Sequence, residues 1–391
     1  MKNHIFQVEI NGHSNSSPAQ FKDLKYLIRE SELDVLIGEK FPLNEFNPES
    51  KLLINGSKEL LSYFERVDEE KLDIVEELKN IEYIGLSDDN EIILRFNNEM
   101  FDEDFNATGV YDFSYDFLDN AFNMGKFSRF CISNSYHDLL RENITQLIKN
   151  LPSLKKQYRL IKNNDKWFLR GLTSTRYNNY DNHLAIYLTL ISLHKYSNNN
   201  KTSFNLEKAY LSDSEIKIFF SQQNPINISN LGEVYFGVYV TNNEIKEGTF
   251  SLELRYTVAN EQGKNFSGIS NHVFNISHAT GINNVKEKLA FSDKINELKE
   301  ITIEHIKNIK MSKLSENQLY MLFRKIHSST QKLSKEARDK AKDFYDSSLV
   351  KNTITIIDAF DKFYEITTDV EERIYLERIY NEVIKELSDN K

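Results

Sequence analysis

WFLRGLTSTRYNNYDNHLAIYLTLISLHKY, residues 167–196, contains the change of period that decides the class of fold. Residues 167–172 form a short, β-prone apolar run and read as a strand, while 173–180 are polar and turn-prone. From 183 to 196 the apolar positions Leu184, Ile186, Tyr187, Leu190, Ile191 and His194 recur near helical spacing. Asp181 or Asn182 is placed to cap this helix, because a short side-chain oxygen accepts from the unpaired amides of a first turn.

Outward from that stretch, both periods recur. Residues 6–10 alternate as a strand, and residues 81–86 and 91–96 read as a hairpin across the turn-rich Ser87, Asp88, Asp89 and Asn90. Residues 233–241 and 249–258 read as a second hairpin, with Asn242, Asn243 and Gly248 in the connection, where positive φ is tolerated. From about residue 283 the pattern is helical almost throughout. Val285, Leu289, Ile295, Leu298, Ile303, Ile306 and Ile309 mark one long stripe, followed by segments near 315–327, 333–346, 353–366 and 370–387. The expected fold is α+β in three parts: an acidic α/β segment over 1–108, a central α+β domain over 109–282 with antiparallel strands, and a helical region over 283–391.

With 391 residues and 40% apolar content the chain has ample core material. A net charge of -10 argues against a uniformly basic nucleic-acid coat, yet the total hides an asymmetry. Residues 1–150 carry 15 basic and 29 acidic side chains, net -14, whereas 151–210 carry 10 basic and three acidic ones, net +7. The single cysteine, Cys131, excludes an intrachain disulfide and any zinc site built on two thiolates, and reads as a small buried apolar residue. The opening residues lack the pattern of a signal peptide and no apolar run reaches the ~18 residues of a membrane span, so a cytoplasmic protein with no membrane partner is expected.

Phosphate-loop, dinucleotide, zinc-protease and nucleophile-elbow motifs are absent. The acidic group Asp102, Glu103, Asp104, Asp112, Asp116 and Asp119 does not follow calcium-loop spacing and reads as a solvated face. Nine histidines are scattered; His272 and His278 with Glu244 are the one set that could converge on a metal, but without a recognised spacing, so no metal and no cofactor are expected. The better chemical signal is the basic segment. Arg170 and Arg176 offer planar forks suited to phosphate, and Trp167, Tyr177 and Tyr180 offer faces for a base. Lys155, Lys156 and Arg159 extend the same cationic run. Strand arginines beside a tyrosine-rich turn also pair with nearby acids, of which the front half has many.

These residues carry a resemblance. Arg170, Gly171, Ser174, Arg176, Tyr177, Asp181 and Asn182 stand in the order R-G-x-x-S-x-R-Y-x-x-x-D-N, which is similar to the DUF932 family of phage and plasmid-like proteins. Asn242 and Glu244 match part of that family's next block, where Asn243 and Lys246 depart from it. Val258, Ala259, Asn260 and Gly263 fall where its cysteine block would lie, without the cysteine. His278, Thr280 and Gly281 look like a later element, and Ala359, Phe360, Asp361, Phe363, Tyr364, Glu365, Arg373 and Leu376 resemble the closing helices. The resemblance spans about residues 110–390 and implies a gene carried by a mobile element, with no settled activity. It adds a candidate polar cluster of Asp181, Asn182, Asn242, Glu244 and His278.

Three functional expectations follow. The first is a non-enzymatic mobile-element accessory protein that binds single-stranded nucleic acid in replication, recombination or transfer. The second is an interaction protein that engages a host defence or replication component through its acidic front half. The third, the least favoured, is a metal-dependent enzyme with Glu244, His278 and Arg176 in one cleft. Self-association is compatible with all three.

Overall fold

A computed structural model describes residues 4–12, 17–97, 104–229, 232–245, 249–260, 263–289, 291–309, 314–349 and 355–389. Asp102, Glu103, Lys246 and Gly248, named above, lie outside the described residues. The front of the chain forms β1 (Gln7–Asn11), α1 (Glu32–Lys40), β2 (Ile54–Asn55) and α2 (Ser57–Phe64). Next come β3 (Lys71–Glu77), β4 (Ile81–Leu86), β5 (Ile92–Phe96) and β6 (Phe105–Gly109). Three helices follow, α3 (Phe113–Phe122), α4 (Gly125–Ser133) and α5 (His137–Asn150), then β7 (Lys155–Asn163), β8 (Lys166–Thr173) and α6 (Asn182–Asn200). The chain continues through β9 (Phe204–Ser212), β10 (Glu215–Gln222), β11 (Ile226–Ile228), β12 (Gly232–Asn243), β13 (Thr249–Ala259) and β14 (Asn265–Ser277). It closes with α7 (Ile282–Leu289), α8 (Ser292–Ile309), α9 (Glu316–His327), α10 (Lys335–Leu349), α11 (Ile356–Tyr364) and α12 (Val370–Asp389). The fold is α+β.

Two sheets organise these elements. The larger runs β1-β9-β10-β12-β13-β14, with β11 on β12 and the short β2 parallel to β9. The smaller runs β3-β7-β8-β6-β5-β4, antiparallel except for the β6–β8 pair. Both expected hairpins form, β4 with β5 and β12 with β13. The front strands do not stay together: β1 and β2 join the larger sheet and β3–β6 join the smaller one, so both sheets span the boundary drawn at residue 108. That distribution could not be read locally, because pairing partners lie as far as 205 residues apart, as in Gln7 opposite Ser212.

Helix α6 is the spine of the larger core. Fourteen of its residues are buried, from Asn182 to Ser197, so the stripe of the sequence reading widens to the whole circumference. It packs against β12, β2 and the 3-10 turn Phe21–Leu27, and Phe21, Leu24, Leu27, Ile37, Phe41, Leu60 and Phe64 of the front segment join the same core. The Tyr187 hydroxyl donates to the Phe41 carbonyl (2.5 Å), and the Leu53 N–H donates to His194 Nδ1 (3.1 Å). Helices α7, α8, α11 and α12 gather around β14, with α12 held to the larger sheet by Arg255, which meets Glu377 through two hydrogen bonds (2.8 and 2.9 Å). The smaller sheet carries its own core, into which α3, α4 and α5 send Phe113, Phe117, Cys131, Leu140 and Ile144. Cys131 is buried, as its isolation suggested.

Candidate functional site

The basic segment folds inward where the two sheets meet. Arg170, in the middle of β8, is 1% exposed and donates through Nη1 to Glu244 Oε2 (2.6 Å) and to the Asp213 carbonyl (3.2 Å). Arg159 of β7 is wholly buried; its Nε and Nη2 donate to the two oxygens of Asp73 (2.9 and 2.8 Å), Nη2 also to Asp181 Oδ2 (2.7 Å), and Nη1 to the Glu244 carbonyl (2.6 Å). Lys71 of β3 donates to Glu244 Oε1 (2.9 Å) and Asp68 Oδ1 (3.1 Å). Burial penalises charge here, and the ion pairs with their hydrogen bonds offset that penalty in part.

Glu244 is the hub. Its Oε1 also accepts the backbone N–H of Asn182 (2.9 Å), so the first turn of α6 is capped by a carboxylate 62 residues away. Asp181 does stand at the N-cap, but its carboxylate faces Arg159 and makes no side-chain cap. Burial opposes ionisation of Glu244, yet Lys71, Arg170 and Arg159 outweigh it and hold the carboxyl far below the usual range. Burial pushes Asp181 the other way, upward, against the pull of Arg159. Lys71 loses by burial and gains more from Glu244 and Asp68, so its pKa is raised.

The polar cluster named from sequence converges here. Asn242 Nδ2 donates to the Asn182 side-chain oxygen (3.0 Å) and to the Tyr180 carbonyl (2.9 Å). His278 stacks on Tyr177 (centroids 4.3 Å, 8° between planes) and shares a hydrogen bond from Nδ1 with the Asn178 carbonyl (3.0 Å). Burial lowers its pKa and keeps the imidazole neutral. Tyr177 donates its hydroxyl to the Glu244 carbonyl (2.9 Å). Arg170 Nε and Nη2, Asp181 Oδ1, Asn242 Oδ1 and His278 Nε2 are buried without a hydrogen-bond partner, so protein groups alone do not saturate the network.

Several expectations are thereby corrected. Arg159, Arg170 and Tyr180 do not face a strand of nucleic acid: the two guanidinium groups are neutralised inside the fold, and Tyr180, 1% exposed, donates to the Thr280 carbonyl. Trp167 is half-buried beside Phe105, with the Lys162 ammonium 5.7 Å from its ring. The metal set His272, His278 and Glu244 does not form: His272 is exposed beside Glu253, and no group of three or more His, Cys, Asp or Glu among the described residues could hold an ion. Nor is Glu244 suited to act as a base, because a carboxylate held so strongly ionised is a poor proton acceptor near neutral pH.

Part of the charge asymmetry is met within the fold. The basic segment meets the acidic front half in Arg159 with Asp73, Lys162 with Glu70 (3.0 Å), Lys195 with Glu45 (3.1 Å) and Lys208 with Glu9 (2.7 Å). Lys71 and Asp73 had no signal in the sequence, because their partners lie 173 and 86 residues away.

What remains open to solvent is a cleft of about 590 Å³ above this network. Asp116 and Asn120 of α3 line it, with Lys156 of β7, Leu172 and Thr173 of β8, and Ser174, Tyr177 and Ile245 of the turns. Gly171 lets the turn approach, since a Cβ there would come within 2.8 Å of the Ile245 Cβ. Arg176 is exposed next to Tyr177, Lys155 is exposed next to Lys156, and neither Arg176 nor Lys156 makes an ion pair with the described residues. No family model, curated protein or solved structure matches the chain, so the likeness to the DUF932 family rests on the residues quoted above.

Proposed function

We propose that the protein binds single-stranded nucleic acid without catalysing a reaction on it, as an accessory of a mobile element, using the cleft over the sheet junction. The observation that carries this reading is the cleft itself: Lys156 on its wall, and the exposed Arg176 that precedes the lining Tyr177 in the chain, are cations left over once the network has engaged Arg159 and Arg170. Cations that follow phosphates, with the exposed Ser174 hydroxyl and the Asn120 amide for base edges, make a polar groove of the right chemistry. Lys155, exposed beside Lys156 at the start of β7, adds a further cation, whereas Trp167 stands at the far end of β8. The acidic front half is the second candidate, as a docking face, although Asp73, Glu70, Glu45 and Glu9 are already engaged by Arg159, Lys162, Lys195 and Lys208.

Binding of a labelled oligothymidylate, followed by anisotropy between roughly 50 and 200 mM salt, tests this. The unaltered protein is expected to bind with a negative salt slope, and the Lys156→Ala/Arg176→Ala pair to bind more weakly with a slope shallower by about 1.4, two phosphates at ~0.7 each. No binding at the low salt, or an identical slope for both proteins, refutes it.

A further inference from the structure

The helices inserted between β6 and β7 expose rings that the smaller core does not need. Tyr115 is 39% exposed, Phe130 55% and Tyr136 50%, although α3–α5 bury Phe113, Phe117, Leu140 and Ile144 beneath them. Phe130 and Tyr136 lie against each other at 5.7 Å, and the Arg129 guanidinium sits 4.4 Å from the Tyr115 ring. Helix α4, GKFSRFCIS, contains Lys126 and Arg129 and no acidic residue. Neither cation pairs with a carboxylate among the described residues, while Asp119 of α3 is turned to the Gly125 amide (3.2 Å). Tyr115 is adjacent in the chain to Asp116, which lines the cleft, so one of the three rings shares a helix with the cleft wall.

Resting on the reading above, we infer that α3, α4 and the turn into α5 form a base-stacking platform, over which a single strand continues from the cleft, its bases on Tyr115, Phe130 and Tyr136 and its phosphates near Lys126 and Arg129. Exposed rings interleaved with unpaired cations are the arrangement such a strand requires, because every base offers a π-face and the backbone offers regular negative charge. A purely apolar partner would leave Lys126 and Arg129 without counter-charge.

The test uses the full chain and an oligothymidylate of about 20 nucleotides, longer than a site of roughly 4 to 16. Phe130→Ala/Tyr136→Ala is expected to weaken binding about tenfold at fixed salt while leaving the salt slope unchanged, since stacking releases no counterions. Both rings are half or more exposed, and an unchanged thermal transition checks that the variant is folded. If the unaltered protein binds and Lys156→Ala/Arg176→Ala weakens it, but the ring variant binds within twofold, the platform is refuted and the cleft stands. If the unaltered protein does not bind, both fall. Photo-crosslinking of a bromodeoxyuridine oligonucleotide to the unaltered protein should label Tyr115, Phe130 or Tyr136; labels exclusively elsewhere refute the platform. So does sedimentation showing a dimer that the ring variant converts to monomer with binding intact, which would make the patch a contact between copies of the chain.

Discussion

Replacing Glu244 with glutamine preserves its shape and removes the negative charge between Lys71 and Arg170. Both cations are buried, and the Asn182 amide loses a charged acceptor as well. Breaking a buried pair from one side leaves uncompensated charge, so Glu244→Gln is expected to reduce unfolding free energy by about 3–5 kcal/mol, read from urea denaturation. An effect under about 0.5 kcal/mol would place it with ordinary surface changes and contradict the hub. The titrating groups add a pH dependence whose sign can be worked out. Burial lowers His278 and His194 from 6.5, so the unfolded chain takes up protons that the folded one refuses; this stability is full above 6.5 and falls as pH drops below it. Glu244 is depressed from 4.5, so its contribution is full above that value and is lost as pH falls through the folded pKa. Asp181, raised by burial, opposes part of this loss. Unfolding free energy is expected to decline from about pH 6.5 downward, by at most ~2.7 kcal/mol per pH unit for two histidines, and a flat profile between pH 7 and 5 would rule this out.

At the scale of elements, strand β8 and helix α6 were legible because a change of period is local: the sequence places them at 167–172 and 183–196, and they occupy Lys166–Thr173 and Asn182–Asn200. Which way their polar groups point was not legible. Arg170 reads equally as a surface fork or a buried ion, and what decides is Glu244, 74 residues away on the turn after β12. The polar cluster of Asp181, Asn182, Asn242, Glu244 and His278 was identifiable as a group, but its chemistry was not, since Lys71, the counter-charge of Glu244, and Asp73, which shares Arg159 with Asp181, sit on an edge strand of the front half. The uncharged run LAIYLTLISL, residues 184–193, did hold a signal for full burial of α6: it lacks the polar face that a half-exposed helix needs.

For the whole molecule, the acidic front and basic centre of the chain act as two halves of one electrostatic and hydrogen-bonded assembly. The front segment supplies β1 and β2 to one sheet and β3 to β6 to the other, together with Asp73 for Arg159 and the apolar partners of α6. Removing residues 1–108 would therefore bare the edges of β9, β7 and β8, strip one side of a helix buried all round, and leave Arg159 with Asp181 as its sole carboxylate partner. Exposed β edges and an uncovered apolar helix favour association over folding. The 109–391 fragment is accordingly expected to aggregate or to melt without a cooperative transition, whereas the intact chain unfolds cooperatively, as calorimetry on both would show. A fragment that stays monomeric and unfolds in one sharp transition would mean that the front segment is an accessory layer, and that the junction network adds nothing the remaining chain requires to fold.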